Sequence, residues 1–137
     1  MFLWFQGEAS WPRFWGSCIN LRFKKLFEEI WMKRVVVFGY GAVGREVAKR
    51  LVARGDDVVV AQRSAPSSLP ESSSFRVCDI TEPESTAAAC AGRDIAICAV
   101  GFRYDRRVWE RSWPAAMQAL LSACSSASAR FVFADNR

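Results

Sequence analysis

The sequence predicts an α/β domain in which helices cover both faces of a parallel sheet, a three-layer Rossmann-type fold. Two observations carry this prediction. From Met32 onward, short apolar runs alternate with helical segments, a pattern in which each helix connects two parallel strands by a right-handed crossover. The first run, VVVF, leads directly into GYGAVG, and a glycine-rich turn between a strand and a helix is typical of nucleotide-binding domains. We expect the strand order 3-2-1-4-5, with the sheet truncated after the fifth strand.

The first strand is predicted over residues 35–38, where a continuous β-branched and aromatic run is typical of a parallel strand buried on both faces. A helix is predicted over residues 42–54, because Val43, Val47 and related apolar residues recur at helical spacing. Gly55 follows the last helical residue, and a glycine there favours a left-handed C-terminal cap.

The second strand is predicted over residues 58–61, and the Ser- and Pro-rich segment 64–74 is expected to form a loop. Residues 75–78 form the third predicted strand. The sequence TEPE then matches a capping box, with Thr81 as the N-cap and Glu84 three residues later. A second helix is therefore expected to begin there.

The second helix is expected to end before Gly92, and the fourth strand to cover residues 95–100. Residues 112–114, SWP, are predicted to begin a third helix, because proline is tolerated in a first helical turn. The side chains expected on the apolar side of this helix are Met117, Leu120, Leu121 and Cys124. The fifth strand is predicted over residues 130–134.

The glycine-rich turn, residues 39–44, has the spacing G-x-G-x-x-G. Gly39 permits a tight turn, Gly41 lets backbone amides approach a pyrophosphate, and Gly44 allows the helix to pack closely on the strand. The start of the helix adds free N–H groups and a positive dipole end. The residues predicted to hold the pyrophosphate are Gly39, Tyr40, Gly41, Ala42, Val43 and Gly44.

The end of the second strand favours NADP over NAD as the cofactor. An NAD site usually carries an acidic residue there, which holds the ribose hydroxyls, whereas an NADP site carries an arginine. The chain has Gln62, Arg63 and Ser64 at this place. Arg63 can pair with a 2′-phosphate and Ser64 can donate its hydroxyl; the alternative is that Arg63 is merely a solvated residue leaving the strand. Asp56 and Asp57 precede the strand and cannot replace the missing acid.

Two more segments fit a dinucleotide. Asp79 follows the third strand and could accept a hydrogen bond from the adenine amino group, with Ile80 against the ring; alternatively, Asp79 caps the following turn. Ala99, Val100 and Gly101 end the fourth strand with small residues, where a cofactor ribose would pass the carboxyl edge of the sheet.

Composition excludes several other functions. The chain has no histidine and its five cysteines form no CxxC pair, so a zinc site lacks ligands. The net charge of +5 is dispersed, and no nucleic-acid partner is expected. No transmembrane segment and no signal peptide are expected from the apolar patterning. Unclustered cysteines fit a reducing compartment, and we expect a cytoplasmic protein.

Composition also changes near Met32, which predicts an N-terminal extension, residues 1–31, and a domain over residues 32–137. The segment LRFKKLFEEIW, residues 21–31, can form a short amphipathic helix that docks on the domain, a partner or a membrane surface. The alternative is that translation begins at Met32 and that residues 1–31 are an upstream extension.

With these motifs identified, the chain resembles the NAD-dependent epimerase/dehydratase family, the extended short-chain dehydrogenase/reductase proteins. The resemblance covers residues 32–137, the N-terminal half of such a protein. The sequences that carry it are VVVFGYGAVG, CDIT after the third strand, WERSWPAAMQALLSAC in the third helix and ARFVFADN at the fifth strand. It implies a Rossmann domain that binds NAD(P).

The resemblance also implies a catalytic Tyr-x-x-x-Lys pair beyond the fifth strand, in which the tyrosine is the general acid/base and the lysine lowers its pKa. This chain departs from that pattern, because its only tyrosines are Tyr40 and Tyr104, and Val108 stands four residues after Tyr104. We therefore expect NAD(P) binding by a truncated domain without independent catalysis, and no catalytic residue is predicted.

Two alternatives remain open from the sequence. The chain could be the N-terminal half of an active NADP-dependent reductase or epimerase, or a redox-sensing protein that contacts a partner through residues 1–31. No residue identifies a small-molecule substrate. A bare fifth-strand edge would invite pairing, so a homodimer is a further expectation.

Overall fold

The computed structural model describes residues 32–134, so the predictions for residues 1–31 lie outside the described residues. The described strands are β1 (Arg34–Phe38), β2 (Asp57–Gln62), β3 (Ser74–Val77), β4 (Ile95–Cys98) and β5 (Arg130–Phe133). The described helices are α1 (Ala42–Arg54), α2 (Pro83–Cys90) and α3 (Arg106–Ala127).

The five strands are all parallel and form one sheet in the order β3-β2-β1-β4-β5. This is the predicted order. In the register of the sheet, Val36 of the central strand lies between Val59 of β2 and Ala96 of β4. Residues 35–38 are fully buried, as expected for a central strand covered on both faces.

Alternate residues of β1 face two separate cores. Val36 and Phe38 belong to a cluster completed by α2 and α3, whereas Val35 and Val37 pack with Ala48 of α1. Because side chains alternate across a strand, one apolar run supplies both cores. The sheet therefore lies between two helical layers, and the predicted three-layer architecture is confirmed.

Charged residues join the strands at the amino edge of the sheet. Asp57 pairs with Arg93 at 2.9 Å, and Asp94 pairs with Arg34 at 2.9 Å. Hydrogen bonds from Arg34 lower the pKa of Asp94 to about 2. Because both pairs are at least partly exposed to solvent, they contribute little to the free energy of unfolding. Asp56 lies at the same edge, so neither it nor Asp57 can reach a ligand at the carboxyl edge.

Two predicted helix starts are wrong. Thr81 does not cap α2, because its amide and its hydroxyl both donate to Asp79 Oδ1 at 2.9 and 2.7 Å; Glu82 is the N-cap instead. The third helix begins six residues before the predicted SWP start, at Arg106. Asp105 caps it by accepting from the amides of Arg107 and Val108.

Proline therefore stands inside α3, where Pro114 lacks the N–H that would continue the helical hydrogen bonds. The apolar side of the helix is also narrower than predicted. Leu120 is fully buried, whereas the adjacent Leu121 is 51% exposed. Between the described ends of the chain, no helix is long and apolar enough to cross a membrane.

The core cluster between the sheet, α2 and α3 contains free, buried thiols: Cys78, Cys90, Cys98 and Cys124. Burial raises the pKa of each thiol, that of Cys90 to about 12. The thiolate is the reactive form. Burial and a raised pKa together predict that these groups are inert in the folded protein.

We expect a Cys18→Ser variant to show almost no reaction with a thiol-specific reagent at pH 8 when folded, and to react at all four remaining thiols after unfolding. Because burial holds the folded pKa values above the ordinary value of about 8.5, the thiols stabilise the fold below that pH, and this contribution is lost as the pH rises towards 12. The free energy of unfolding should therefore fall above pH 8.5. Rapid labelling of the native protein would contradict the buried placement.

Candidate functional site

A cleft opens at the carboxyl edge of the sheet, where the loops after β1, β2, β3 and β4 converge. Its cavity volume is about 540 Å³. In the sheet, β1 has β2 as its neighbour on one side and β4 on the other, so the strand order reverses at β1. Ligands of open α/β sheets bind where the strand order reverses in this way. The predicted site residues that line the cavity are Gly39, Tyr40, Gly41, Gln62, Arg63, Ser64, Asp79, Ile80, Ala99, Val100 and Gly101.

The glycine-rich turn is shaped by the backbone around it. Gly39 has φ +88°, and a Cβ there would stand 2.9 Å from the carbonyl oxygen of Ala99. A Cβ on Gly44 would overlap the carbonyl oxygen of Gly39, so α1 rests directly on the turn. Gly41 differs, because nothing lies within 4 Å of a Cβ placed on it. The turn is therefore tightly packed at Gly39 and Gly44 and open at Gly41.

The N-terminus of α1 supplies hydrogen-bond donors. Gly41 is the N-cap of α1 and, among the described residues, makes no side-chain capping hydrogen bond. The amides of Ala42, Val43 and Gly44 come too early in the helix to have helical partners. The first helical bond runs from the Arg45 amide to Gly41. These three predicted residues are not part of the cavity lining, and Val43 is 51% exposed. Their contribution to an anion site would be through backbone N–H groups and the helix dipole.

Tyr40 is held by the protein itself. Its amide donates to Gln62 Oε1 at 3.0 Å, and its side chain is buried with Val35 and Val58. The guanidinium of Arg45 lies 5.5 Å from the centre of the ring. Tyr40 therefore anchors the turn, and because it also lines the cavity, its contact with a cofactor stays a prediction.

Gln62, Arg63 and Ser64 follow one another at the end of β2. Gln62 Nε2 donates to the carbonyl oxygen of Ser64 at 2.7 Å, while Arg63 and Ser64 are exposed on the cavity lining. No acidic side chain stands at this strand end, since β2 finishes with Ala61 and Gln62.

Asp79 caps the turn after β3, one of its two predicted roles. Its Oδ1 atom accepts from the amide and the hydroxyl of Thr81, at 2.9 and 2.7 Å. These bonds lower the pKa of Asp79, and the charge of Arg63 acts in the same direction. Asp79 is therefore ionised at neutral pH. It also lines the cavity beside the buried Ile80, so contact with an adenine stays a prediction.

Lining residues that the sequence did not predict are Ala61, Cys78, Thr81, Phe102, Arg103, Val108 and Ser112. Val108 and Ser112 lie four residues apart on α3, and this spacing on one helix face was obscured because the helix was expected to begin later. Phe102 and Arg103 lie in the loop after β4, where no sequence pattern marked them.

Aromatic side chains pack beside the loop after β4. Trp113 contacts Phe102 and Phe133 edge to face, with ring centres 4.7 and 5.6 Å apart. Tyr104 is 87% exposed and stacks on Trp109, with ring centres 6.0 Å apart. It is not among the residues that line the cavity.

Known proteins share this architecture. A family described as NAD(P)H-binding matches residues 39–135, whereas no curated protein matches. The chain is similar to uronate dehydrogenase from Agrobacterium tumefaciens, with 22% identity, a TM-score of 0.67, and coverage of 77% of this chain and 41% of that one. It is also similar to vestitone reductase from alfalfa, with 23% identity, a TM-score of 0.61, and coverage of 74% and 35%.

A third similar structure is described as an NAD-dependent epimerase/dehydratase from Methylobacillus flagellatus, with 24% identity and a TM-score of 0.56. The match covers 74% of this chain and 36% of that one. The chain thus spans less than half the length of each of these three structures. The matches confirm the predicted resemblance for the Rossmann portion of the chain.

Proposed function

The chain belongs to the NAD(P)H-binding family, and from this premise we propose that it binds NADP in preference to NAD, in the cleft at the carboxyl edge of its sheet. The observation that carries this proposal is the end of β2. Arg63 and Ser64 stand there on the cavity lining, and the strand ends without the acid that would hold an unphosphorylated ribose.

The residues of the cleft fit the successive parts of the cofactor. Gly41 leaves room for a pyrophosphate beside the N–H groups of α1. Arg63 and Ser64 would hold the 2′-phosphate, because a guanidinium pairs well with phosphate oxygens. Asp79 and Ile80 would contact the adenine. The small residues 99–101 would leave a path for the nicotinamide ribose.

The bound cofactor would supply the hydride chemistry, and the described residues bind and orient it. We propose that they do so without a catalytic pair of their own. Tyr40 is committed to the core, and Tyr104 lies on the surface outside the cavity lining. Buried thiols with raised pKa values, such as Cys98, are poor nucleophiles.

A second candidate function is the cofactor-binding half of a reductase or dehydrogenase. This function is favoured by the lengths of the similar structures, because the match covers only 41% of the dehydrogenase and 35% of the reductase. In that case the acid–base groups would come from additional polypeptide. The test is whether adjoining coding sequence, expressed with this chain, restores NADPH-dependent reduction of carbonyl substrates.

We expect the chain to bind NADPH more tightly than NADH, and Arg63→Ala to weaken NADPH binding by roughly 10- to 100-fold, because a hydrogen bond to a charged group contributes about 1.5–3 kcal/mol. NADH binding should change little. Fluorescence titration with both cofactors measures the two dissociation constants.

Arg50→Ala is the matched control, since Arg50 is an exposed residue of α1 paired only with Glu46 among the described residues. It removes the same charge away from the cleft and should leave both affinities unchanged. Binding of neither cofactor would refute the proposed function. Tighter binding of NADH, or equal losses for both cofactors in Arg63→Ala, would refute the NADP assignment.

A further inference from the structure

We infer that Gln62 is a positioning residue for cofactor selectivity: its side chain fastens the arginine-bearing loop after β2 to the glycine-rich turn. This inference rests on the proposed preference for NADP. It gives Gln62 a role that does not require contact with the cofactor, because the polar atoms of its side chain are engaged within the protein.

The geometry of the side-chain amide carries the inference. Gln62 Oε1 accepts from the Tyr40 amide at 3.0 Å, and Gln62 Nε2 donates to the Ser64 carbonyl oxygen at 2.7 Å. These two hydrogen bonds, which we call the Gln62 bridge, need an acceptor and a donor at the end of one side chain. Glutamine offers both, whereas an ionised glutamate offers only acceptors.

The backbone around the bridge is fastened as well. The Gly39 amide donates to the Ala61 carbonyl oxygen at 3.0 Å, and the Cys78 amide donates to the Gln62 carbonyl oxygen at 3.0 Å. These bonds join the strand end to the loops on both sides. The Ser64 carbonyl oxygen lies beyond the end of β2. Its hydrogen bond with the Gln62 side chain links the residues that precede and follow Arg63.

Arg63 is consequently presented from a backbone that is fixed before a ligand arrives. Fixing a binding segment in advance reduces the ordering cost of association. Gln62 is also neutral, so it places no charge near the predicted 2′-phosphate site. A glutamate at this position would break the donation to Ser64 and repel a phosphate, because like charges at an interface are unfavourable.

The two effects predict a selective response to substitution. Gln62→Glu should weaken the binding of NADPH, which carries the 2′-phosphate, and should leave NADH binding unchanged or stronger, since a carboxylate can accept from ribose hydroxyls. Gln62→Met keeps the length of the side chain and removes both hydrogen bonds. It should weaken NADPH binding less than Gln62→Glu does, because it loosens the loop without adding a charge.

The test measures the dissociation constants of NADPH and NADH for the full chain and for Gln62→Glu, Gln62→Met and Gln118→Glu. Gln118 is exposed on α3 and outside the cavity lining, so Gln118→Glu adds the same charge elsewhere. We expect the ratio of NADPH to NADH affinity to fall at least tenfold in Gln62→Glu and to stay constant in Gln118→Glu. Hydrogen exchange of the Tyr40 amide should become faster in Gln62→Met, which removes its acceptor, and not in Gln62→Glu, because a carboxylate still accepts from that amide.

Several outcomes would overturn the inference. An unchanged affinity ratio in Gln62→Glu, or equal losses for both cofactors, would show that Gln62 has no selective role. An unchanged exchange rate of the Tyr40 amide in Gln62→Met would show that the bridge does not hold the turn. If Gln62→Glu does not fold, the inference is tested by the ratio of NADPH to NADH affinity and the Tyr40 amide exchange rate in Gln62→Met. Failure of the unsubstituted chain to bind either cofactor would instead refute the proposed function itself.

Discussion

Gly44→Ala is expected to lower the free energy of unfolding by roughly 3 kcal/mol, the upper end of the usual cost of overpacking. The added methyl group would overlap the carbonyl oxygen of Gly39. Neither side can yield easily, because Gly44 is inside α1 and Gly39 is fixed by its bond to the Ala61 carbonyl oxygen. The helix would have to move away from the turn. Denaturant unfolding, followed by circular dichroism, measures the loss.

Gly41→Ala is the matched comparison within the same turn. Nothing lies within 4 Å of the added methyl group, and the backbone of Gly41, at φ −78° and ψ −161°, is accessible to alanine. Loss of a glycine N-cap should cost no more than about 1 kcal/mol. The methyl group would instead stand where the pyrophosphate is expected, and NADPH affinity should fall on the order of tenfold or more.

The pair therefore separates folding from binding. Gly44→Ala should lose stability, whereas Gly41→Ala should keep the fold and lose affinity for NADPH. If Gly44→Ala unfolds at the same denaturant concentration as the unsubstituted chain, α1 does not rest on the turn as described. If Gly41→Ala binds NADPH normally, the pyrophosphate does not lie beside Gly41.

The central strand and the glycine-rich turn could be predicted because their signals are local, and the strand order followed from the Rossmann-type arrangement that they indicate. A continuous run such as residues 35–38 has few alternatives to a buried parallel strand. Glycines at fixed spacing after that strand mark a turn that needs a left-handed residue and close backbone approach, which the structure shows at Gly39 and Gly44.

The errors occurred where two local signals competed. Asp105 and Pro114 can each mark a helix start, and the prediction followed the proline, although Asp105 is the residue that caps α3. Thr81 and Asp79 present a similar case. Thr81 matched a capping box, but its hydroxyl donates to the carboxylate of Asp79 instead. Residue spacing alone does not show which residue caps a helix, because each capping hydrogen bond depends on the direction in which the chain leaves the preceding strand.

The bridge made by Gln62 could not be predicted at all. It joins Gln62 to the backbone of Tyr40, 22 residues earlier, and the two meet only because β1 and β2 are neighbours in register, with Phe38 opposite Ala61. The sequence showed the absence of an acid at the end of β2. The hydrogen bonds that the Gln62 side chain makes at this place depend on tertiary structure.

Leu120→Ala is expected to lower the free energy of unfolding by about 3 kcal/mol, within the 2–5 kcal/mol typical of deleting a buried leucine side chain. Leu120 is fully buried in the cluster that packs α3 against the sheet, with Phe38 among its members. Leu121→Ala should change stability by no more than about 0.5 kcal/mol, because Leu121 is 51% exposed. Denaturation midpoints at a constant m-value measure both effects.

The adjacent leucines make this comparison a direct test of the rotation of α3. The same substitution on the same helix changes helix propensity equally at both positions, so the difference between the variants reports burial. Equal losses would mean that both side chains face the core, as the sequence pattern predicted. Ala61, Cys78 and Ile80 belong both to this cluster and to the cavity lining. Leu120 does not line the cavity, so folded Leu120→Ala protein should keep its affinity for NADPH. A loss of stability together with a loss of affinity would show that packing beneath the sheet also sets the geometry of the cofactor site.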